Sequence, residues 1–145
     1  VDFELLVIAK KNLESRALPG VPMRFEEWST EGEGALLARC HAGIMPLPAD
    51  DAFAAGKSAF KLIQYLAAGL PAIASPVGEN CNVLRSGETG FFASTPVEWA
   101  EALRCLIRED GLRERMAADA RRLAFDYSIQ KYGPIYGEFL QRTLG

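Results

Sequence analysis

This chain of 145 residues has few cysteines, a single histidine and no long apolar run. Cys40, Cys81 and Cys105 are odd in number and widely spaced, with no CxxC pair and no Cys/His cluster. A reduced compartment fits that usage and a zinc site does not, so the expectation is no metal and three small apolar fillers. His41 falls at a helix-to-strand junction, where a structural histidine is commoner than a catalytic one. No apolar stretch reaches the ~20 residues of a membrane span, so no span is expected. A net charge of −3 carries no polyanion signal, and nucleic acid is not an expected main partner. Bases cluster only locally, at Lys57 with Lys61 and between Arg104 and Arg122. GxGxxG and P-loop patterns are missing, so the common dinucleotide and nucleoside-triphosphate fingerprints fail. There is no serine nucleophile elbow, no internal repeat and no low-complexity segment.

With 49% apolar and 24% charged residues, a packed core is expected in one domain, 1–145. The first residue is Val and no signal peptide precedes it, so the sequence reads as a piece of a longer chain.

The informative stretch is Gly56 to Gly78, GKSAFKLIQYLAAGLPAIASPVG. It reads as loop, helix, tight connector, buried strand and second loop. Ser58 is a candidate cap, and Leu62, Ile63, Leu66 and Ala67 give one apolar helix face. Gly69 and Pro71 end the helix, and Ala72–Ile73–Ala74 is apolar enough for a strand covered on both faces. Both loops then lie on one edge of a parallel sheet, where open α/β sheets take ligands. Unpaired N–H groups at the helix start, with Lys57 and Lys61 beside them, suit a phosphate. Gln64 shares a helix side with Lys61, and an amide can bridge a sugar diol. The ordinary alternatives are surface lysines, an exposed glutamine and, at Pro76-Val77-Gly78, a plain strand exit. Glycine at 78 also lets a ligand approach the backbone.

Elsewhere, Phe3–Ala9, Val21–Trp28, Ala42–Leu47 and Gly90–Ser94 read as strands, and Lys10–Gly20 as a connector. Thr30 with Glu33 suggests a capping box, followed by Leu36, Leu37 and Cys40 on one face. Ala49–Gly56 reads as an acidic, small-residue loop. Its Asp50 and Asp51 look more like a solvated turn than an acid/base pair. Residues 79–90 read as loop with one helical turn near Val83 and Leu84. Thr95-Pro96-Val97-Glu98 is the clearest helix start, with Trp99, Leu103, Leu106 and Ile107 as its buried stripe. Gly111 is expected to interrupt that helix. Leu112, Met116, Ala120 and Leu123 mark the next one, and Ser128 caps a last, bent or restarted at Gly133-Pro134. Strands alternating with helices predict an α/β fold with a parallel sheet, wrapped by a helical tail over 95–145.

GIMPLPADDAFAAGKSAFKLIQYLAAGLPAIASPVGENCNVLRSGETGFFAS, with the helical LRERMAADARRLAFDYSIQKYGPIYGEFL, resembles the C-terminal lobe of GT-B fold, group 1 retaining glycosyltransferases. The resemblance implies a Rossmann-like lobe that binds a nucleotide-diphosphate sugar without a metal or other cofactor. It implies the diphosphate at Lys57, Ser58, Ala59, Phe60 and Lys61, the ribose at Gln64, and a donor loop of Gly56, Val77, Gly78 and Glu79. Two glutamates common in the family correspond to Gly56 and Gln64, and a further acidic position to Asn82. No catalytic base is therefore assigned. Against a whole lobe, the first strand is expected to be missing, as is the acceptor-binding N-terminal lobe. That lobe is an expected partner, and dimerisation could cover the fragment's open edges. A cytoplasmic enzyme, membrane-peripheral when whole and serving polysaccharide biosynthesis, is the matching expectation, with the isolated fragment inactive. The function implied is transfer of a hexosyl group to a glycan or lipid-linked hydroxyl. A non-catalytic nucleotide-sugar-binding domain is the alternative. A flavodoxin-like signalling domain fits less well, because VDFELLVIAKK lacks acids at its strand end.

Overall fold

A computed structural model describes residues 3–10 and 17–144. Most of the expected Lys10–Gly20 connector lies outside the described residues. The chain divides into two compact units, residues 1–41 and 42–145. In the first, β1 (Leu5–Ala9) pairs in parallel with β2 (Met23–Glu27), Leu5 opposite Met23 and Ala9 opposite Glu27. A short helix, α1 (Glu33–Leu37), follows. Its start differs from expectation: Ser29, not Thr30, supplies the hydroxyl, accepting from the Gly32 N–H at 2.9 Å. Glu33 does not close a capping box there, because its carboxylate accepts from the Trp28 indole N–H at 2.8 Å. Cys40 falls beyond the helix end.

The second unit carries the sheet that matters for function. Its order is β3 (Gly43–Met45), β4 (Ala72–Ala74), β5 (Gly90–Phe92), all parallel. Ala72, Ile73 and Ala74 are fully buried. Alternation along β4 sends them to opposite faces. Ala72 and Ala74 join Leu62, Leu66, Val83, Ala120 and Leu123, whereas Ile73 joins Ala102, Leu106 and Met116. A strand covered on both sides needs an unbroken apolar run, and three small residues supply it.

Two helices connect β3 to β4. The first, α2 (Ala52–Ala55), occupies part of what the sequence suggests is loop. The Asp51 carboxylate starts it by accepting from the Phe53 N–H at 2.8 Å. The second, α3 (Phe60–Ala68), ends at Gly69 in the left-handed conformation (φ 70°), and Pro71 follows. A single turn, α4 (Asn80–Val83), leads to β5.

Helix α5 (Pro96–Arg108) has the full capping box: Thr95 accepts from the Glu98 N–H, and Glu98 accepts from the Thr95 and Ser94 N–H groups. Its buried stripe is displaced from expectation. Ala102 and Leu106 are buried, while Leu103 is 37% exposed. Gly111 does not interrupt a helix. The break lies at Glu109, and Gly111 sits in the first turn of α6 (Asp110–Ala124). Met116, Ala120 and Leu123 of α6 are buried as their spacing requires. After a 3-10 turn (Phe125–Tyr127), Ser128 accepts from the Lys131 N–H and begins α7 (Ile129–Leu144). Helix α7 passes through Pro134 without restarting and buries none of its residues, so it does not wrap the sheet.

Candidate functional site

A crossover helix runs back from the carboxyl edge of its sheet, so the first turn of α3 stands at that edge. Ser58 is not its cap; the N-cap is Ala59, whose side chain offers no oxygen. The Ser58 carbonyl instead accepts from the Phe60 N–H at 2.8 Å, and that of Ala59 from the Ile63 N–H at 3.2 Å. The second of these is the first bond of the helix itself, so of the four donors at its start, Ala59 to Leu62, only that of Phe60 is used. The uncapped end concentrates partial positive charge beside the exposed ammonium groups of Lys57 and Lys61. Lys57 Nζ lies 5.2 Å from the centroid of the Phe53 ring.

The loop after β4 lies at the same sheet edge and packs on the end of α2. Gly78 has φ 55°, and the Ala55 carbonyl occupies the space a Cβ would need. What approaches the Gly78 backbone is thus the end of α2, one residue before Gly56. Segments 56–61 and 77–79, separate in sequence, adjoin at one sheet edge. The loop is tied to the neighbouring strand as well. Ser75 is buried, its hydroxyl accepts from the Leu47 N–H at 2.9 Å, and its own N–H donates to the Met45 carbonyl at 3.2 Å. Asn80, 1% exposed, donates from Nδ2 to the Ser75 carbonyl at 3.0 Å. Its Oδ1 is buried and has no hydrogen-bond partner.

The residues picked out from sequence divide by what they expose. Lys57, Ser58, Lys61, Gly56, Gly78 and Glu79 are exposed. Phe60 exposes 60% of its surface, but Ala59 and Val77 are buried, so only their backbones can meet a ligand. Gln64 is half-buried on α3 and already interacts with a neighbour. Glu79 Oε2 accepts from Asn82 Nδ2 at 3.1 Å. Gly56 closes α2, so no side chain projects there. Ser75 and Asn80 escape sequence reasoning as site-building residues. Their one signal is polarity within a run that is otherwise apolar.

Asp51 is a helix cap rather than half of an acid/base pair. His41 is exposed. The cysteines are all free, and Cys81 is exposed on α4 rather than filling the core. Burial pushes the Cys40 thiol pKa up, with Arg39 pulling the other way. No group of three metal-ligating side chains occurs among the described residues. A cavity of about 260 Å³ is lined by Arg85, Glu88, Thr89, Asp119, Arg122 and Asp126. Thr89 immediately precedes β5, so this cavity lies at the amino edge, opposite α3's first turn.

Comparison with known proteins agrees with this architecture. HepE of Anabaena, solved with UDP and glucose, superposes at TM-score 0.73 and 13% identity, over 94% of this chain and 40% of that one. The pneumococcal O-GlcNAc transferase GtfA, solved with UDP and GlcNAc, gives TM-score 0.66 and 15% identity, over 84% and 24%. A D-inositol 3-phosphate glycosyltransferase of Nocardioides sp. is 41% identical over 56 residues, 37% of this chain and 12% of that protein. The chain therefore spans well under half the length of each. The family model for glycosyl transferases group 1 matches residues 2–109. With a match over most of its length, and a parallel α/β lobe of the GT-B type, the chain belongs to the group 1 glycosyl transferases.

Proposed function

We propose that this chain forms the donor-binding part of a glycosyltransferase. In this reading it holds a nucleotide-diphosphate sugar while the sugar passes to a hydroxyl of a glycan or lipid-linked acceptor. The observation that carries the reading is that α3's uncapped first turn shares the carboxyl edge of the sheet with the Val77–Glu79 loop, which packs on Ala55 just before Lys57 and Lys61. Negative charge grows on the leaving diphosphate as the glycosidic bond breaks. Backbone donors and ammonium groups fixed at that place stabilise the transition state more than the ground state. Gln64, one helical turn further along the same helix, serves the ribose hydroxyls in this reading. UDP in HepE and GtfA supports a uridine nucleotide as the first to test. A N-terminal lobe supplying the acceptor site completes the proposal.

The test is calorimetric titration of the natural protein with UDP, wild type against Lys61→Ala. The substitution is expected to weaken binding about two- to fivefold, the range of a partly screened charge. Equal affinities would take Lys61 out of the site. One observation favours a second reading, a domain that binds the nucleotide sugar without transferring it: neither Gly56 nor Gln64 brings a carboxylate to α3. Incubating the protein with UDP-glucose and a candidate acceptor, and finding neither transfer nor hydrolysis, would select that reading.

A further inference from the structure

The strand-end loop Ser75–Glu79 is held from three sides, and one of the holds is left incomplete. Ser75 joins it to Leu47 at the exit of β3, and the Ala55 backbone fills the space beside Gly78. The third hold is Asn80. Its backbone N–H donates to the Val77 carbonyl at 3.2 Å, while its side-chain Nδ2 donates to the Ser75 carbonyl at 3.0 Å. The same Ser75 carbonyl accepts from the Val77 N–H at 2.8 Å. One residue thus closes the loop on itself by backbone and side chain together. The loop's turns use the N–H groups of Val77, Asn80 and Cys81, and not those of Gly78 and Glu79.

The cost of this arrangement is visible at Asn80. Among the described residues, its Oδ1 is the buried side-chain polar atom with no partner. A leucine of similar size would fill the same space with no unmet acceptor. A buried amide with half its capacity unused calls for an explanation other than packing. The geometry supplies one: the Asn80 amide gives the Ser75 carbonyl a second donor beside the Val77 N–H and so ties the start of the loop to its far end.

We propose that Asn80 is a positioning residue for nucleotide-sugar binding: its side-chain amide fixes the Ser75–Glu79 loop so that the Gly78 and Glu79 N–H groups face the diphosphate. This rests on the donor-binding reading given above. The loop and α3's first turn then grip the anion from two directions. Because the grip requires alignment, displacement of the loop by about 1 Å is enough to impair it strongly.

The experiment is UDP titration of the natural protein alongside Asn80→Ala, Asn80→Asp and Ser75→Ala, with the melting temperature of each. Asn80→Ala is expected to weaken UDP at least about tenfold in the folded protein. Asn80→Asp keeps the shape and replaces the donor by an acceptor facing the Ser75 oxygen, so at neutral pH it is expected to fare no better. Ser75→Ala removes only the tie to Leu47 and keeps the Asn80 bond to the backbone, so it is expected to bind more tightly than either. If Asn80→Ala does not fold, Asn80→Asp decides by the same criterion. If neither folds, amide hydrogen exchange of the wild-type protein decides: UDP is expected to slow exchange at the Gly78 and Glu79 N–H groups, and no slowing there overturns the proposal. A lowered melting temperature with unchanged UDP affinity in an Asn80 variant would show a merely structural role and overturn it also. In that case wild-type binding still upholds the donor-binding reading. Wild-type protein that fails to bind UDP would overturn both.

Discussion

The Ala55 carbonyl stands where a side chain on Gly78 would begin, and this approach brings α2 and the loop after β4 to one place. Gly78→Ala must either move the loop or push α2 away, and it also strains a φ of 55°. We expect a loss of about 1–3 kcal/mol together with weakened UDP binding. Gly87→Ala is the control, because Gly87 has φ 83° with nothing within 4 Å of the added Cβ. Its expected cost is smaller, with UDP binding unaltered. Equal losses in the two variants, read by urea denaturation, would show that contact with Ala55 contributes nothing.

Leu62 has 0% exposure on α3 and packs with Leu66, Val83 and Leu123. Leu62→Ala should cost about 2–5 kcal/mol through lost transfer energy and the cavity left behind. Leu103, at 37% exposure, should tolerate alanine within about 0.5 kcal/mol. Denaturation midpoints check both, and a large loss at Leu103 would show that the buried stripe of α5 is not the displaced one.

The capping box of α5 makes a pH prediction. Hydrogen bonds from the Ser94 and Thr95 N–H groups hold the Glu98 carboxyl below its ordinary value of 4.5. The folded state thus prefers the ionised form. The resulting stability is present above that ordinary value and fades as pH falls through the lower folded one. Glu98→Gln should flatten this part of a melting curve taken from pH 7 to pH 3. Some acid sensitivity should persist, because a hydrogen bond from Lys131 and its charge lower Asp126 similarly. Thr95→Ala should cost about 1 kcal/mol at neutral pH.

Phe53 is 75% exposed and lies beneath the Lys57 ammonium. Phe53→Ala should leave stability within about 0.5 kcal/mol of wild type, because little surface is withdrawn from water there. It should weaken UDP binding less than Lys57→Ala does, since the charge survives and only its support is lost. A larger loss in the phenylalanine variant, measured by the same titration, would give the ring a direct role in binding.

The sheet of the second unit was legible because its strands are short apolar runs punctuated by Gly and Pro. Ala72–Ala74 needs no tertiary information, since every face of it must be dry. The capping box at Thr95 was equally plain, being local chemistry within four residues. Ser58 misled for an instructive reason. The chain makes a tight bond from Phe60 back to Ser58 before the helix begins, and this shifts the cap to an alanine. Helix α2 was hidden because four residues are too few for periodicity, although Asp51 signals its start. Gly111 was misread because a glycine is tolerated in a first turn, and the actual break comes from Glu109's backbone. At the site, Lys57 and Lys61 could be found by charge and spacing. The Asn80–Ser75–Leu47 chain could not, since it joins residues 28 positions apart across two strand exits.

Helix α7 leaves Ile129, Tyr132, Ile135, Tyr136, Phe139 and Leu144 each more than half open to solvent. An oily ridge of that extent governs how the purified material behaves on the bench. Retention on a phenyl column, and losses to plastic at low concentration, should both drop when Ile135 and Phe139 are exchanged for serine. Meanwhile the fold, whose interior α7 does not enter, should keep its melting temperature.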